Sequence, residues 1–414
     1  MADVGVIGSG IAGLHLALSL QSSAIPVTLY AERTPDQQLA RRLSNMVARN
    51  ACTRARERVL GVNHWDRPSH DMGRLSVRIG GPQPLAFSGH LAPAQAVDMR
   101  IYCARLLEDF STRGGNVVIR TVQAGEIENL AWQHDLLVVA SGRATLSNIF
   151  PRVVEQSPYT RPPRLVVAGL FRGIGYTEPP SLELTVVPGS GEILVVPMQS
   201  FEPGLTGIGI FITADGAFEP LRRLHYDDDP PAFATTVLDL LRVHAAAIYE
   251  RVEPGAFGVS RPIDLCHAAI TPTVRRGFVT LANGRNAIAL GDAHVVIDPI
   301  TGQGANNASH AAGVLCDAIR DATVFDRAFC ERVERAICAY VVPVSDASNA
   351  RLRSPAPHFR ELISAAARDQ AVADLYADGY NHPDRFWAMA GDAGRTAAFL
   401  RARQSPDRPV AAEL

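Results

Sequence analysis

Short apolar runs and glycine-bearing turns alternate at the start of the chain. Residues 3–8 form an apolar run, 11–21 an amphipathic stretch and 27–30 a second apolar run, the order of a strand–helix–strand unit. Val97, Ile101, Ala104 and Leu107 then recur at helical spacing, and with the stop Gly114-Gly115 they predict a helix over 93–114. Continuous apolar runs at 117–120 and 136–140 predict buried parallel strands. From residue 151 the texture changes. Strand-like runs at 165–171, 182–187, 193–196 and 207–213, punctuated by proline and glycine, predict a largely antiparallel sheet. The acidic turn Asp227-Asp228-Asp229-Pro230 leads into a helix predicted over 231–250, and it reads as a solvated N-terminal cap rather than a metal site. The buried run 287–290 predicts a return to the first sheet, followed by a helix rich in small residues at 304–320. From residue 325 the pattern is helical and ends in an arginine-rich tail.

Composition narrows the function classes. The chain has 414 residues, 47% apolar and 20% charged, enough for two or three domains of an ordinary globular protein. A net charge of −2 leaves no electrostatic footprint for nucleic acid or an anionic membrane. No apolar run approaches the length of a bilayer span, and the first strand begins with no room for a signal peptide, so a cytoplasmic location is expected. Cys52, Cys103, Cys266, Cys316, Cys330 and Cys338 form no CxxC pair and read as reduced thiols, with neither a zinc site nor a disulfide frame. There is no lysine; all 40 basic residues are arginine. Schiff-base chemistry, a lysine-bearing phosphate loop and any catalytic amine are thereby excluded.

Two constellations carry the chemistry. The first is Gly8-Ser9-Gly10-Ile11-Ala12-Gly13, between a strand and a helix. Gly8 serves the tight turn, Gly10 the close approach of a pyrophosphate, and Gly13 the packing of the helix on the sheet. The helix start at Ile11 and Ala12 presents free N–H groups to the diphosphate. Glu32, with Arg33 beside it, ends the second strand, where an acid accepts hydrogen bonds from an adenosine ribose. The second constellation is GDAHVVIDPITGQGANNA, residues 291–308. Gly291 and Asp292 close a strand where a ribityl hydroxyl would bind. Pro299, Gly302, Gln303, Gly304 and Ala305 lead into a helix whose N-terminus would stabilise charge on a reduced flavin, with Asn306 and Asn307 as polar anchors. Together the two describe FAD.

The chain resembles the FAD-binding epoxidase component of styrene monooxygenases, in the family shared with indole monooxygenases. The segments that carry the likeness run nearly end to end: GSGIAGLHLALSL, RLSNMVARNA, VNHW, GGPQPLAF, AVDMRIY, LLVVASG, GLFRGI, YDDDP, GDAHVVIDPITGQGAN and YNHPDRFW. The resemblance implies an α/β fold like that of p-hydroxybenzoate hydroxylase: a Rossmann-type FAD domain, a mainly antiparallel substrate sheet and C-terminal helices. The corresponding boundaries are 1–150 for the first part of the FAD domain, with a small excursion at 66–93. The substrate sheet follows at 151–274, the second part of the FAD domain at 275–345 and the helical region at 346–414. A cytoplasmic homodimer is implied, receiving FADH2 from a separate NADH-dependent flavin reductase. Ser141-Gly142 supports that partner, because single-component relatives carry aspartate in place of the serine.

The implied reaction is oxygen transfer from a flavin C4a-peroxide or hydroperoxide, formed with O2, to a styrene-like alkene or a sulfide; oxidation of indole towards indigo is the alternative. The cofactor carries the chemistry. The resemblance puts Asn45 at the flavin N5/O4 edge and Arg42 near the phosphates or ring, with Arg100 as a further cofactor residue. Val47, Met72, Leu75 and Ala94 fall at substrate-side positions, joined by Val196 and Met198 from the sheet. The pattern departs from the styrene type, where Arg49 replaces a histidine and Met72 and Leu75 replace a tyrosine and a histidine. Ala94 is similar to the indole type, so a more apolar pocket is expected.

Overall fold

The computed structural model describes residues 2–142 and 145–404; the end of the arginine-rich tail lies outside the described residues. The strand Val4–Ile7 pairs in parallel with Val27–Ala31 on one side and Leu136–Val139 on the other. Asn116–Ile119 and Asn286–Ala289 extend this six-stranded sheet in parallel, and Phe278–Thr280 closes one edge antiparallel. The central strands are fully buried, as expected of apolar runs covered by helices on both faces. The helices Ile11–Ser22 and Gly304–Arg320 pack against each other over one face. Because the strands are parallel, Gly8, Glu32, Ser141 and Gly291 all follow strand C-termini. That edge is where ligands bind in open α/β sheets.

A nine-stranded, mainly antiparallel sheet forms the second layer. Its centre is the run Leu165–Arg172, Leu182–Val187, Gly191–Gln199 and Leu205–Ile212. Met46–Arg49, Met72–Ile79 and Leu85–Asp98, from within the first 150 residues, join it. The chain therefore crosses between the two sheets several times, and the crossings form the walls of the site. The helices Pro357–Ala366, Gln370–Asp378 and Pro383–Ala390 pack over the apolar face around Met72 and Phe87.

Two helix boundaries differ from the sequence expectation. The helix expected over 93–114 begins only at Met99 and runs to Thr112, and residues 93–98, Val97 included, finish the strand Leu85–Asp98. Sheet pairing with Met46–Arg49 outweighs the helical spacing of Val97, and Asp98 caps the helix by accepting the Arg100 N–H at 2.9 Å. The helix expected over 231–250 is Pro230–His244 followed by a separate turn, Ala246–Tyr249, broken where Ala245 leaves helical geometry. As expected, Asp229 is its N-cap, accepting from the Ala232 N–H at 2.9 Å.

Candidate active site

The three glycines of the first turn carry three different constraints. Gly8 has φ +113°, a conformation strained for side-chain-bearing residues, and a Cβ there would lie 2.4 Å from the Ala140 carbonyl oxygen. A Cβ on Gly13 would lie 1.9 Å from the Gly8 carbonyl oxygen, so the helix closes directly on the turn. A Cβ on Gly10 would meet nothing within 4 Å. Space at Gly10, above an uncapped helix N-terminus at Ile11 and Ala12, is what a diphosphate requires. Glu32 and Arg33 lie at the adjacent strand end, both partly exposed, and pair with each other at 2.9 Å.

The second turn meets the first. Gly291 has φ +61°, and a Cβ on it would come within 2.8 Å of the Ala12 Cβ. Gly302, at φ +62°, lies against Ala48, while a Cβ on Gly304 would meet nothing within 4 Å. Asp298 accepts the Ile300 N–H at 3.0 Å and is gripped by Arg164, which also binds Glu192. This buried cluster, which sequence reasoning missed, ties the 299–304 loop to the second sheet. Both polar atoms of the Asn307 side chain are buried with no protein partner. Unmet polar atoms and bare backbone around an open helix N-terminus fit a flavin with its ribityl chain. The Asn306 side chain is not free for that role. Its Oδ1 accepts from the Asn50 N–H and Thr53 Oγ1, and its Nδ2 donates to the Gly302 carbonyl, so it fastens the turn.

Between the second turn and the second sheet lies a cavity lined by Met72, Ala94 and Val196 together with Ala168, Leu194 and Phe211. Asn45, Asp292, Pro299, Gly302, Gln303, Gly304 and Ala305 also border it. Val47, Leu75 and Met198 do not. Alternation along Met46–Arg49 turns Met46 and Ala48 to the cavity and leaves Val47 in the core of the first layer. A register shift between Met72 and Arg74 separates Met72 from Leu75, which joins the core under the C-terminal helices. Met198 packs at Gly207.

Arg49 follows Val47 away from the cavity. It is fully buried, paired with Glu57 and donating to Gln95 Oε1 at 2.7 Å. Its difference from the styrene-type histidine therefore anchors a strand and leaves the cavity wall unchanged.

Arg100 is also fully buried, its N–H groups reach Asp98, Asp264 and the carbonyls of Arg41 and Ile263, and it does not border the cavity. Arg42 is partly exposed. It binds Asp227 through both carboxylate oxygens, at 2.8 and 3.1 Å, and the Pro262 carbonyl. It thus joins the 41–45 segment to the acidic turn. Asn45 Oδ1 accepts the Met46 N–H at 2.8 Å, leaving its Nδ2 as the donor. Tyr380 borders the cavity as well; its segment, YNHPDRFW, was the only sequence signal for it.

Residues 142–251 match the styrene monooxygenase A substrate-binding domain family. The chain is 36% identical over 391 residues to styrene monooxygenase StyA of a Pseudomonas species and of Pseudomonas fluorescens, covering 93% of this chain and 94% of each relative. Among solved structures, a triple mutant of the flavin-dependent brominase Bmp2 superposes with a TM-score of 0.66 at 16% identity, covering 98% of this chain and all of that one. A flavoprotein/dehydrogenase from Cytophaga hutchinsonii superposes with a TM-score of 0.66 at 12% identity, over 97% of this chain and 99% of that one. At such identities the structures share the fold alone.

Proposed function

Since this chain belongs to the styrene monooxygenase family and is therefore an FAD-dependent monooxygenase, we propose that it takes FADH2 from a separate NADH-dependent flavin reductase. With O2 it then epoxidises small apolar aromatic alkenes and oxygenates sulfides. The observation that carries this reading is the cavity: its far wall is Met72, Leu194, Val196 and Phe211, and its near wall is the 299–304 loop. An apolar ring there would lie against the flavin edge with bulk water kept out.

When bound, FADH2 would supply the reducing electrons and activate O2. The protein holds and poses the reactants. Gly10 and the N–H groups at Ile11 and Ala12 receive the diphosphate, and Glu32 turns from Arg33 to the adenosine ribose. The backbone from Gly302 to Ala305 and the N-terminus of Gly304–Arg320 stabilise negative charge at the pyrimidine end of the ring. Asn45 offers its Nδ2 to the N5/O4 edge. Arg42 acts by position, pinning the segment that carries Asn45.

Oxidation of indole at its C2=C3 bond is the second reading, favoured by Ala94 on the cavity wall. No helix of the described residues is long and apolar enough to cross a membrane, and we place the enzyme in the cytoplasm as a homodimer. The test is the purified protein with a flavin reductase, NADH, FAD and air, given styrene, indole or methyl phenyl sulfide separately. Epoxide or sulfoxide analysed on a chiral column supports the reading, and kcat/KM ratios decide between styrene and indole. Oxygen recovered entirely as H2O2 with every substrate would overturn it.

A further inference from the structure

Behind the 299–303 loop lies a second, smaller chamber of about 30 Å³, walled by Thr301, Gln303, Arg351, Tyr376 and Tyr380 among others. Thr301, Gln303 and Tyr380 border both this chamber and the main cavity. These three residues also carry buried polar atoms with no protein partner: Thr301 Oγ1, Gln303 Oε1 and Tyr380 Oη. Three unmet polar atoms in one partition are costly unless something small satisfies them. The chamber has room for two or three waters, at about 10–15 Å³ each. Arg351 completes it, donating from Nη1 to Tyr376 Oη at 2.9 Å. The backbone of Tyr380 is held as well, its carbonyl accepting from Gln303 Nε2 at 2.8 Å and Asn50 Nδ2 at 3.2 Å.

We propose that this chamber holds ordered water and that Tyr380 passes protons between that water and the flavin cavity. The proposal rests on the monooxygenase reading above, because that reaction needs a proton route into an apolar site. FADH2, O2 and an alkene give FAD, epoxide and water. The O–O bond breaks, one oxygen bonds to both alkene carbons, and the other leaves as water with the two hydrogens of the reduced flavin. The flavin and the alkene π bond each supply two of the four electrons. Tyr380 Oη gives its proton to the departing oxygen and is reprotonated from the chamber water. That water recovers the proton released by the flavin, so neither is consumed. Burial pushes the Tyr380 phenol up to about 12, which keeps it protonated at the start of each cycle. The Ser44 hydroxyl, also on the cavity, is engaged with Arg41 and the Met99 sulfur.

The first arm of the test is a high-resolution crystal structure of the ligand-free protein, expected to show water bridging Thr301 Oγ1, Gln303 Oε1 and Tyr380 Oη. The second compares wild type with Tyr380→Phe, each loaded with chemically reduced FAD and mixed with O2 and styrene in H2O and in D2O. Return of the oxidised-flavin absorbance is expected to slow about 100-fold in the variant and to lose its solvent isotope effect. Affinity for oxidised FAD, read by fluorescence quenching, stays unchanged. Should Tyr380→Phe fail to fold, Thr301→Val, which removes a different water partner, carries the same expectation. A dry chamber, or a variant with wild-type rate and isotope effect, overturns the proposal. If wild type forms no epoxide while these differences hold, the substrate reading falls and the relay stands.

Discussion

Arg164 holds Asp298 across the junction of the two sheets, with Nε 3.0 Å from Oδ2 and both side chains almost wholly out of water. Arg164 immediately precedes a strand of the nine-stranded sheet, and Asp298 opens the 299–304 loop that borders the cavity. The pair therefore sets the distance between the sheet wall of the cavity and the 299–304 loop. Removing one partner leaves a buried charge uncompensated, so Arg164→Ala is expected to destabilise the fold by about 3–5 kcal/mol. Urea unfolding measures this, and a loss below about 1 kcal/mol would mean that the cluster is hydrated and weak.

Gly10→Ala and Gly13→Ala separate cofactor binding from folding. A methyl at position 13 collides with the Gly8 carbonyl, and overpacking of this kind costs about 1–3 kcal/mol or more. A methyl at position 10 meets open space in the protein. Gly10→Ala should keep its melting temperature within a few degrees while FAD affinity falls at least about tenfold, roughly 1.4 kcal/mol. Equal FAD affinity in wild type and Gly10→Ala, by fluorescence titration, would remove the diphosphate from this turn.

Neighbouring residues of one strand should give opposite phenotypes. Val47→Ala empties core behind the site and is expected to cost about 2 kcal/mol of stability with substrate preference unchanged. Met46→Ala enlarges the cavity, and it should shift the styrene-to-indole kcat/KM ratio several-fold with little change in melting temperature. A specificity change in Val47→Ala of the size seen in Met46→Ala would show that the strand faces are assigned the wrong way round.

Acid should weaken the fold through buried histidines. His15 is held down to about 3 by burial, then by Arg56 and Arg49, and His294 to about 4 by burial. In the unfolded chain both rings protonate near 6.5. The unfolded state therefore binds protons below that pH that the folded state refuses. The stabilisation is complete above 6.5 and drains as pH falls towards 4 and then 3, each ring contributing about 1.4 kcal/mol per pH unit. Urea melts between pH 7 and 5 test the slope, and a flat profile would mean that the rings protonate in place.

The elements legible in the sequence were those whose partners are local. The Gly8–Gly13 turn, the run Leu182–Val187 and the Asp229 cap depend on backbone freedom, apolar–polar alternation and a side chain reaching three residues along. The start of the helix Met99–Thr112 was not legible, because Val97 obeys the helical period while its backbone pairs with Val47. Arg100 presented the same difficulty: nothing in its local sequence shows that Asp264, distant along the chain, helps Asp98 enclose it.

The sequence alone described an FAD-binding chain built on a parallel sheet, since glycine spacing and strand–turn–helix order are properties of contiguous residues, and its resemblance along contiguous segments pointed to the monooxygenase family. Only the tertiary structure decided which residues face the cavity, that Arg42 and Arg100 are committed to carboxylates, and that Tyr380 stands in the partition behind the 299–303 loop. Those outcomes depend on strand register and on charges brought together from more than a hundred residues apart, such as Arg42 and Asp227, and no local pattern encodes them.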